Sequence, residues 1–139
     1  MWVTKLLRLL ARVGLGAGLI YAGITHLSFS RLEFQAQVPL WLALDPDFVV
    51  IASGVVEILL GLGLLSFGKL VPLAGIAAAV FFVVIFAGNI NQYVEGIDAF
   101  GLDTDQARLQ RLFFQPVLVL WALWSTSAFS VLRAWASRA

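Results

Sequence analysis

One carboxylate lies deep inside an apolar stretch of the chain. Glu57 comes ten positions after Asp47, where a helix is expected to begin, and ten residues of α-helix rise about 15 Å. In a membrane-spanning helix that depth is mid-bilayer, where an ionisable group costs on the order of 3 kcal/mol and usually faces the protein interior or a polar cavity. Ser53 and Gly61, one turn to either side, favour the protein-facing side. A part in ligand or proton handling and a purely structural tie between helices fit Glu57 equally well.

Polar side chains on three further predicted helices form a second group, and with Glu57 they make up the candidate ligand-binding pocket. Within each helix they are mostly three or four residues apart, so they share a face, and all three sets reach a similar depth near the outer ends. If the faces converge, they form a polar chamber that opens outward, with Glu57 at its floor and Arg31 or Glu33 folding over it. For any single residue, a hydrogen-bonded network that closes the bundle and caps the loops is the favoured interpretation. The members are Tyr21, Thr25 and His26, then Asn89, Gln92 and Tyr93, then Arg108, Arg111 and Gln115.

His26 is the side chain best suited to acid or base chemistry, because imidazole changes charge in the physiological range. A lone histidine near a helix end is nevertheless more often a loop anchor. A metal site is not expected, since the chain has one histidine, no cysteine and no close carboxylate pair, whereas metal sites use larger sets of such ligands. No catalytic residue is assigned, and the sequence requires no cofactor.

The elements that position these residues follow from the composition. Of 139 residues, 61% are hydrophobic and 12% are charged, against about 25% charged in a soluble domain. The apolar residues fall into four blocks of the roughly 20 residues that a bilayer core requires, at about 9–27, 47–67, 70–93 and 112–134. Blocks of this length are helices, because a barrel strand is half as long and alternates. The sequence therefore predicts an all-α bundle of four transmembrane helices in one domain, residues 1–139.

Local signals mark the ends of these helices. Asp45-Pro46-Asp47 supplies an N-cap, a proline at the first helical position and an acid near the positive end of the helix. Gly68-Lys69 leaves almost no loop between the second and third helices, which predicts an antiparallel hairpin. The segment 103–106 fits a capping box, so the fourth helix is expected to begin before the membrane. Pro116 removes a backbone hydrogen bond and predicts a kink there.

Charged residues divide unevenly between the two ends of the bundle. One end carries six basic residues and no acid, whereas the loops at the other end carry three basic residues and seven acids. By the positive-inside rule both termini are expected in the cytoplasm. The net charge is only +1, and no basic cluster of the kind that nucleic-acid binding needs is present in the sequence, so no nucleic-acid partner is expected. The six basic residues are Lys5, Arg8, Arg12, Lys69, Arg133 and Arg138.

The first outer loop allows two interpretations. Polar and apolar residues alternate over 31–38, as in a strand, yet four apolar residues also lie near one helical stripe. A short interfacial helix or a re-entrant segment is favoured, because a lone strand would leave unpaired edges beside the lipid. The stripe consists of Phe29, Leu32, Ala36 and Leu40.

Glycines in the first span permit close approach of another helix. Gly14 and Gly18 form a G-x-x-x-G motif, which Gly16 and Gly23 extend. Packing inside the monomer is favoured over a dimer interface, and the oligomeric state stays open.

Several segments together resemble the DoxX-like family of small four-span bacterial membrane proteins. The resemblance covers nearly the whole chain and implies a four-helix bundle in the bacterial inner membrane. Some members of that family are associated with thiosulfate:quinone oxidoreductases or with membrane complexes that handle oxidative stress. The absence of cysteine argues against a direct thiol role, and it leaves a quinone or lipid ligand and recruitment of complex subunits open. The segments are Tyr21-Ala22-Gly23-Ile24-Thr25-His26, residues 33–39, Ala52-Ser53-Gly54-Val55-Val56-Glu57, residues 88–93, residues 100–105 and residues 111–116.

Two functions from different classes fit these observations. The favoured one is a non-catalytic binding protein or accessory subunit, which takes a small apolar or amphipathic molecule, or a partner subunit, above Glu57. The alternative is a proton-coupled carrier of small solutes or a membrane isomerase that uses Glu57 and His26 as acid and base. The alternative needs a polar path towards the cytoplasm, and the inner halves of the predicted helices have almost no polar residue to build one.

Overall fold

Apolar blocks separated by short polar segments fold into helices throughout the chain. The structure is a computed structural model that describes residues 1–35, 37–99 and 101–139. Ala36 of the helical stripe and Phe100 of the family-like segments lie outside these described residues. The elements are α1 (Trp2–Leu27), α2 (Arg31–Gln35), a 3₁₀ turn (Leu40–Leu42), α3 (Pro46–Leu64), α4 (Leu70–Glu95), α5 (Asp105–Ser125) and α6 (Ala128–Ala136).

Three helices, α1, α3 and α4, are long and apolar enough to cross a membrane. Helices α5 and α6 pass the same test only as a pair, and they are bent by 84° relative to each other. The protein is therefore all-helical with three or four candidate membrane spans. Large apolar side chains cover its outside, as Phe67 and Phe113 show with exposed fractions of 86% and 72%, and an outer surface of this kind suits a lipid environment.

The ends of the helices follow the local signals in two of three cases. The Asp45 side chain accepts a hydrogen bond from the Asp47 backbone N–H at 3.1 Å, with Pro46 at the first helical position. Gly68 adopts the left-handed conformation in the short turn before α4, with φ of 71°. The prediction of a capping box before α5 is wrong. The N-cap is Thr104, whose side chain accepts a hydrogen bond from the Ala107 backbone N–H at 3.1 Å. Alanine has no side-chain acceptor for the N-cap backbone N–H, so the second bond of a capping box is missing.

The predicted fourth span is broken rather than continuous. Helix α5 passes through Pro116 and ends at Ser125, and the sharp bend lies at Thr126 and Ser127. Ser127 takes a left-handed φ of 58°, while the Thr126 hydroxyl donates to the Ala122 carbonyl at 2.7 Å. The other bounds differ less: α1 begins at residue 2 rather than 9, α3 ends at 64 rather than 67, and α4 runs on to 95.

Helices α1 and α3 form the closest pair, through glycines that are seven residues apart on each helix. Gly16 lies against Gly61, and Gly23 lies against Gly54; a Cβ on Gly23 would be 2.5 Å from the Gly54 carbonyl oxygen. Gly16 and Gly23, which extend the predicted motif, thus make the close approach inside the monomer, whereas Gly14 and Gly18 do not, because nothing lies within 4 Å of a Cβ built on either residue. The face of α1 that contacts α3 therefore carries Gly16 and Gly23 rather than Gly14 and Gly18.

The helices enclose a central space. Helix α1 packs on α3 and α4 packs on α5, and contacts of α1 with α5 and of α3 with α4 complete the ring. Among the described residues, the diagonal pairs α1 with α4 and α3 with α5 make no close backbone approach. Apolar side chains fill the axis at the end where α1 begins, and a cavity takes their place towards α2. The filled end is built from Leu15, Leu19, Leu64, Ala78, Ala79, Phe82 and Ala122.

Candidate functional site

The central cavity has a volume of about 560 Å³ and is lined by all four long helices. The segment comprising residues 31–35 and 37–42, here called the cap segment, covers it with Phe34, Gln37, Val38 and Pro39 among others. Its volume falls in the range of small-molecule sites, which are mostly apolar with a few placed polar groups. The lining follows that pattern. Its polar side chains are His26, Gln37, Trp41, Ser53, Glu57, Arg111 and Trp121.

Glu57 and His26 meet on the cavity wall formed by α1 and α3. Their side chains are 6% and 9% exposed, and the His26 Nδ1 atom lies 2.8 Å from Glu57 Oε2. The same nitrogen lies 2.7 Å from the Ala22 carbonyl oxygen. Because a carbonyl oxygen can only accept, this contact fits the tautomer with a hydrogen on Nδ1, donated to Ala22. Glu57 Oε2 is therefore close to His26 without an aligned hydrogen bond from it.

The glycine contact between α1 and α3 makes the meeting of these two side chains possible. Gly54 lies one turn before Glu57, and a Cβ at Gly54 would be 2.7 Å from His26 Cβ. Any larger residue at that position would displace the imidazole. On its other side the His26 ring stacks on Phe34, with the ring centres 3.4 Å apart and the planes 15° from parallel. The imidazole thus connects the cap segment to Glu57.

The cap segment is fixed at its start and at its middle. Arg31 and Gln35 hydrogen-bond Asp47 at the start of α3, with Arg31 Nε at 2.6 Å and Gln35 Nε2 at 3.0 Å from Oδ1. The bond to Asp47 raises the pKa of Arg31 above its ordinary value, so the guanidinium stays charged. In the middle of the segment, Gln37 lies on Gly88, where a Cβ would be 2.5 Å from the Gln37 carbonyl oxygen.

Four buried or half-buried amides form a network beside the cavity, here called the amide network. Gln37 Nε2 donates to Gln92 at 3.0 Å and to Asn89 at 3.3 Å. Gln115 donates to the Phe82 carbonyl at 2.6 Å and accepts from Arg111 at 2.9 Å. The network joins the cap segment, α4 and α5. Its members are Gln37, Asn89, Gln92 and Gln115.

Arg108 serves the loop that precedes α5 rather than the cavity. Although only 7% exposed, its guanidinium donates to Asp98 and to the Leu102 carbonyl, both at 2.8 Å, and to Asp105 at 3.0 Å. Gln92 donates into the same loop, to the carbonyls of residues 97 and 99. For Arg108 and Gln92, these contacts match the interpretation favoured from the sequence, a hydrogen-bonded network that caps the loops.

The predicted pocket residues therefore separate into three groups. His26, Glu57 and Arg111 line the cavity. Asn89, Gln92, Arg108 and Gln115 are buried next to it, in the amide network or the loop. Tyr21 is 65% exposed on the outside of α1, and the half-buried Tyr93 is not part of the lining. The structure also differs from the expected polar chamber in having a mostly apolar lining, and Arg31 binds Asp47 instead of folding over Glu57.

Sequence reasoning missed three contributors. Gln37 and Phe34 of the cap segment reach the cavity, and so does Trp121, whose Nε1 donates to the Ala11 carbonyl at 2.8 Å. A signal for Trp121 was present, because an indole in the middle of a span needs a partner for its N–H group. No comparable signal marks Gln37, whose position depends on how the cap segment folds back.

Comparison with known proteins adds a family without a function. A model for a domain of unknown function (DUF8561) matches residues 15–126, which include every cavity-lining residue except Gly14. The chain therefore belongs to this family. No curated protein and no solved structure matches it.

Proposed function

We propose that this member of the DUF8561 family is a membrane-embedded binding protein whose central cavity holds a small, mostly apolar molecule with a polar end. The observation that carries the proposal is an apolar space of about 560 Å³ with Glu57, His26 and Arg111 in its wall. An unoccupied apolar space costs packing energy, because its lining has no partner atoms on one side. A buried carboxylate in that wall adds a further cost unless something bonds it. A bound amphipathic molecule would offset both costs.

The positions of the charged groups support an orientation with both termini in the cytoplasm. Arg12 Nη1 donates to the Leu64 carbonyl at 2.7 Å and to the Ser66 carbonyl at 2.8 Å. Arg8 donates to Ser127 Oγ at 3.3 Å. The start of α1, the turn after α3 and the start of α6 thus lie at the same end, which is the basic one. The positive-inside rule assigns that end to the cytoplasm.

Four spans also fit these positions. Helix α5 alone has 21 residues, or about 31 Å, which is enough to cross a bilayer core. Helix α6 would then lie along the cytoplasmic surface, and α2 along the outer surface. The membrane in this proposal is the bacterial inner membrane, as the resemblance to the DoxX-like family implies. That resemblance also favours an accessory role beside quinone or redox enzymes of the envelope.

A quinone and a lipid are the two ligand classes that this proposal keeps. Both are mostly apolar and carry polar groups at one end, as the cavity wall requires. Association with other membrane subunits or with a second copy of the chain is compatible with either ligand, since the outside of the bundle is apolar.

The contact between His26 and Glu57 favours a second candidate function, proton-coupled transport or isomerisation. An imidazole 2.8 Å from a carboxylate can exchange a proton with it. The filled end of the bundle opposes this candidate, because side chains such as Leu64 and Ala122 are fully buried there and provide no polar path. Solute uptake into proteoliposomes that is lost in Glu57→Gln would support transport, and uptake that is unchanged in that variant would remove it.

The binding proposal is tested by filling the cavity from a position with room for a side chain. Gly18 lines the cavity and has nothing within 4 Å of a built Cβ, so Gly18→Leu adds a side chain there without a backbone clash. Ala17, which does not line the cavity, gives the matched control Ala17→Leu. The measurement is the melting temperature with decylubiquinol or with dioctanoylglycerol, an uncharged lipid.

At least one of the two probes is expected to raise the melting temperature of the wild type and of Ala17→Leu by several degrees. The same probe is expected to leave Gly18→Leu unchanged. The proposal fails if neither probe shifts the wild type, or if Gly18→Leu responds like its control.

A further inference from the structure

The buried polar atoms of the cavity wall point to the polar end of the ligand. Among the described lining residues, Glu57 Oε2 is a buried side-chain atom with no hydrogen-bond partner, and the other three such atoms in the described part of the chain lie elsewhere. Glu57 itself is 5% exposed. Oε2 faces His26 Nδ1 at 2.8 Å without an aligned hydrogen bond, so the carboxylate of Glu57, which lines the cavity, is not fully bonded within the described residues.

The other polar side chains of the wall are already bonded within the protein. The hydrogen of His26 Nδ1 goes to the Ala22 carbonyl, and Ser53 Oγ donates to the Val50 carbonyl at 2.9 Å. Trp121 donates to Ala11, while Gln37 belongs to the amide network. Among these donors of the described wall, His26 Nδ1 alone approaches Glu57, at 2.8 Å from Oε2, and its hydrogen points to Ala22.

Arg111 is the remaining charged group of the wall, and it balances Glu57. It donates to Gln115 at 2.9 Å and lies 5.6 Å above the Phe114 ring. None of the ion pairs among the described residues includes it. One carboxylate and one guanidinium leave no net charge in the wall, so an ionic ligand would introduce an unbalanced charge into an apolar space.

A hydroxyl group meets these conditions better than a carboxylate or an ammonium does. Its hydrogen can be donated to an ionised Glu57, and its lone pairs can accept from a protonated one, so it can bond the carboxylate in either state. A ligand carboxylate would repel an ionised Glu57. We infer that the ligand of the central cavity is an uncharged apolar compound with a hydroxyl at one end, such as a quinol or a diacylglycerol, and that this hydroxyl bonds the carboxylate of Glu57. The inference rests on the proposed binding function.

A series of probes with one chain length and different end groups tests the inference. The probes are 12-bromododecan-1-ol, 12-bromododecanoate, 12-bromododecylammonium and 1-bromododecane, whose bromine quenches tryptophan fluorescence. Trp41 and Trp121, which both line the cavity, are the reporters, in a protein whose other three tryptophans are replaced by phenylalanine. Saturable quenching that Gly18→Leu abolishes measures occupancy of the cavity, and the quenching left in that variant measures partitioning into the surrounding membrane.

The alcohol is expected to bind at least ten-fold more tightly than the carboxylate, the ammonium and the plain bromoalkane. In Glu57→Leu the alcohol is expected to lose about ten-fold in affinity, since the acceptor is gone, while the bromoalkane is unaffected. In Glu57→Gln, which keeps an amide able to bond a hydroxyl, most of the alcohol affinity remains. Circular dichroism verifies the fold of each variant, and the wild-type series alone decides the end-group preference.

The outcomes separate this inference from the proposed function. If no probe quenches saturably in the wild type, the binding function itself fails. If all four probes bind equally well, or if the carboxylate or the ammonium binds best, the binding function stands and the hydroxyl assignment is overturned. Alcohol affinity that is unchanged in a folded Glu57→Leu variant overturns it as well.

Discussion

Replacing Gly61 by alanine is expected to force α1 and α3 apart. A Cβ at Gly61 would lie 2.6 Å from the Gly16 carbonyl oxygen and 2.6 Å from Ile20 Cγ1, whereas ordinary contacts begin at 3.4 Å. The deficit is about 0.8 Å (3.4 minus 2.6), and a helix backbone cannot rotate out of the way as a side chain can. Overpacking of this kind costs about 1 to 3 kcal/mol. If the helices separate by that distance, each neighbouring contact along the interface loses roughly a quarter to a half of its dispersion energy.

The chain provides a matched control for this substitution. Gly14→Ala and Gly18→Ala make the same chemical change on the neighbouring face of α1, where nothing lies within 4 Å of the added carbon. These variants are expected to be unchanged or more stable by up to about 1 kcal/mol, because alanine favours the helix over glycine. Gly23→Ala, at 2.5 Å from the Gly54 carbonyl oxygen, is expected to behave like Gly61→Ala.

The assay is equilibrium unfolding in mixed micelles of sodium dodecyl sulfate and dodecyl maltoside, followed by circular dichroism. Gly61→Ala and Gly23→Ala are expected to lose about 1 to 3 kcal/mol of unfolding free energy, and the two controls are expected to lose none. Equal stability of all four variants would refute the close contact of α1 with α3. Destabilisation confined to Gly14→Ala and Gly18→Ala would restore the motif that the sequence alone suggested.

Three further predictions concern the cap segment, the corner between α5 and α6, and the orientation in the membrane. Asp47→Asn weakens the bonds to α2, so the rate of amide hydrogen exchange in the cap segment is expected to rise several-fold. The control Asp103→Asn, on the exposed loop, is expected to leave that rate unchanged. Equal exchange rates in both variants would show that Asp47 does not hold the cap segment. A Cβ at Gly75 would lie 1.9 Å from Thr126 Oγ1 and 2.7 Å from Thr126 Cβ, so Gly75→Ala is expected to cost about 1 to 3 kcal/mol. Adding Thr126→Ala, which removes Oγ1 and keeps Cβ, is expected to recover part of that loss; additive losses in unfolding measurements would refute the contact. The chain has no cysteine, so Ser137→Cys provides a unique labelling site near the C-terminus. A membrane-impermeant maleimide is expected to react with it in inverted vesicles and not in intact cells. The reverse result would place the C-terminus outside.

The sequence predicted best what depends on neighbouring residues alone. Asp45 and Pro46 start α3 because an N-cap oxygen and a proline act within one turn. Glu57 faces inward because its helix face carries Gly61 one turn away. Both results need only helical periodicity and the cost of exposing a carboxylate to lipid.

The sequence did not predict features that depend on how distant segments meet. Gly14, Gly16 and Gly18 all allow close approach, and only the register between α1 and α3 decides that Gly16 makes the contact. Tyr21 faces outward for the same reason, since the rotation of α1 is set by its partner. No glycine or proline marks the bend at Ser127 in the sequence. The bend depends on the space that Gly75, on α4, leaves for the side chain of Thr126.

Native mass spectrometry of the protein released gently from membranes tests the central claim most directly, because it counts molecules in the cavity. Wild type and Ala17→Leu are expected to carry one bound small molecule of the same mass, which Gly18→Leu lacks. Absence of a bound molecule from the wild type, or equal retention in Gly18→Leu, would contradict the account of the central cavity as a ligand-binding site.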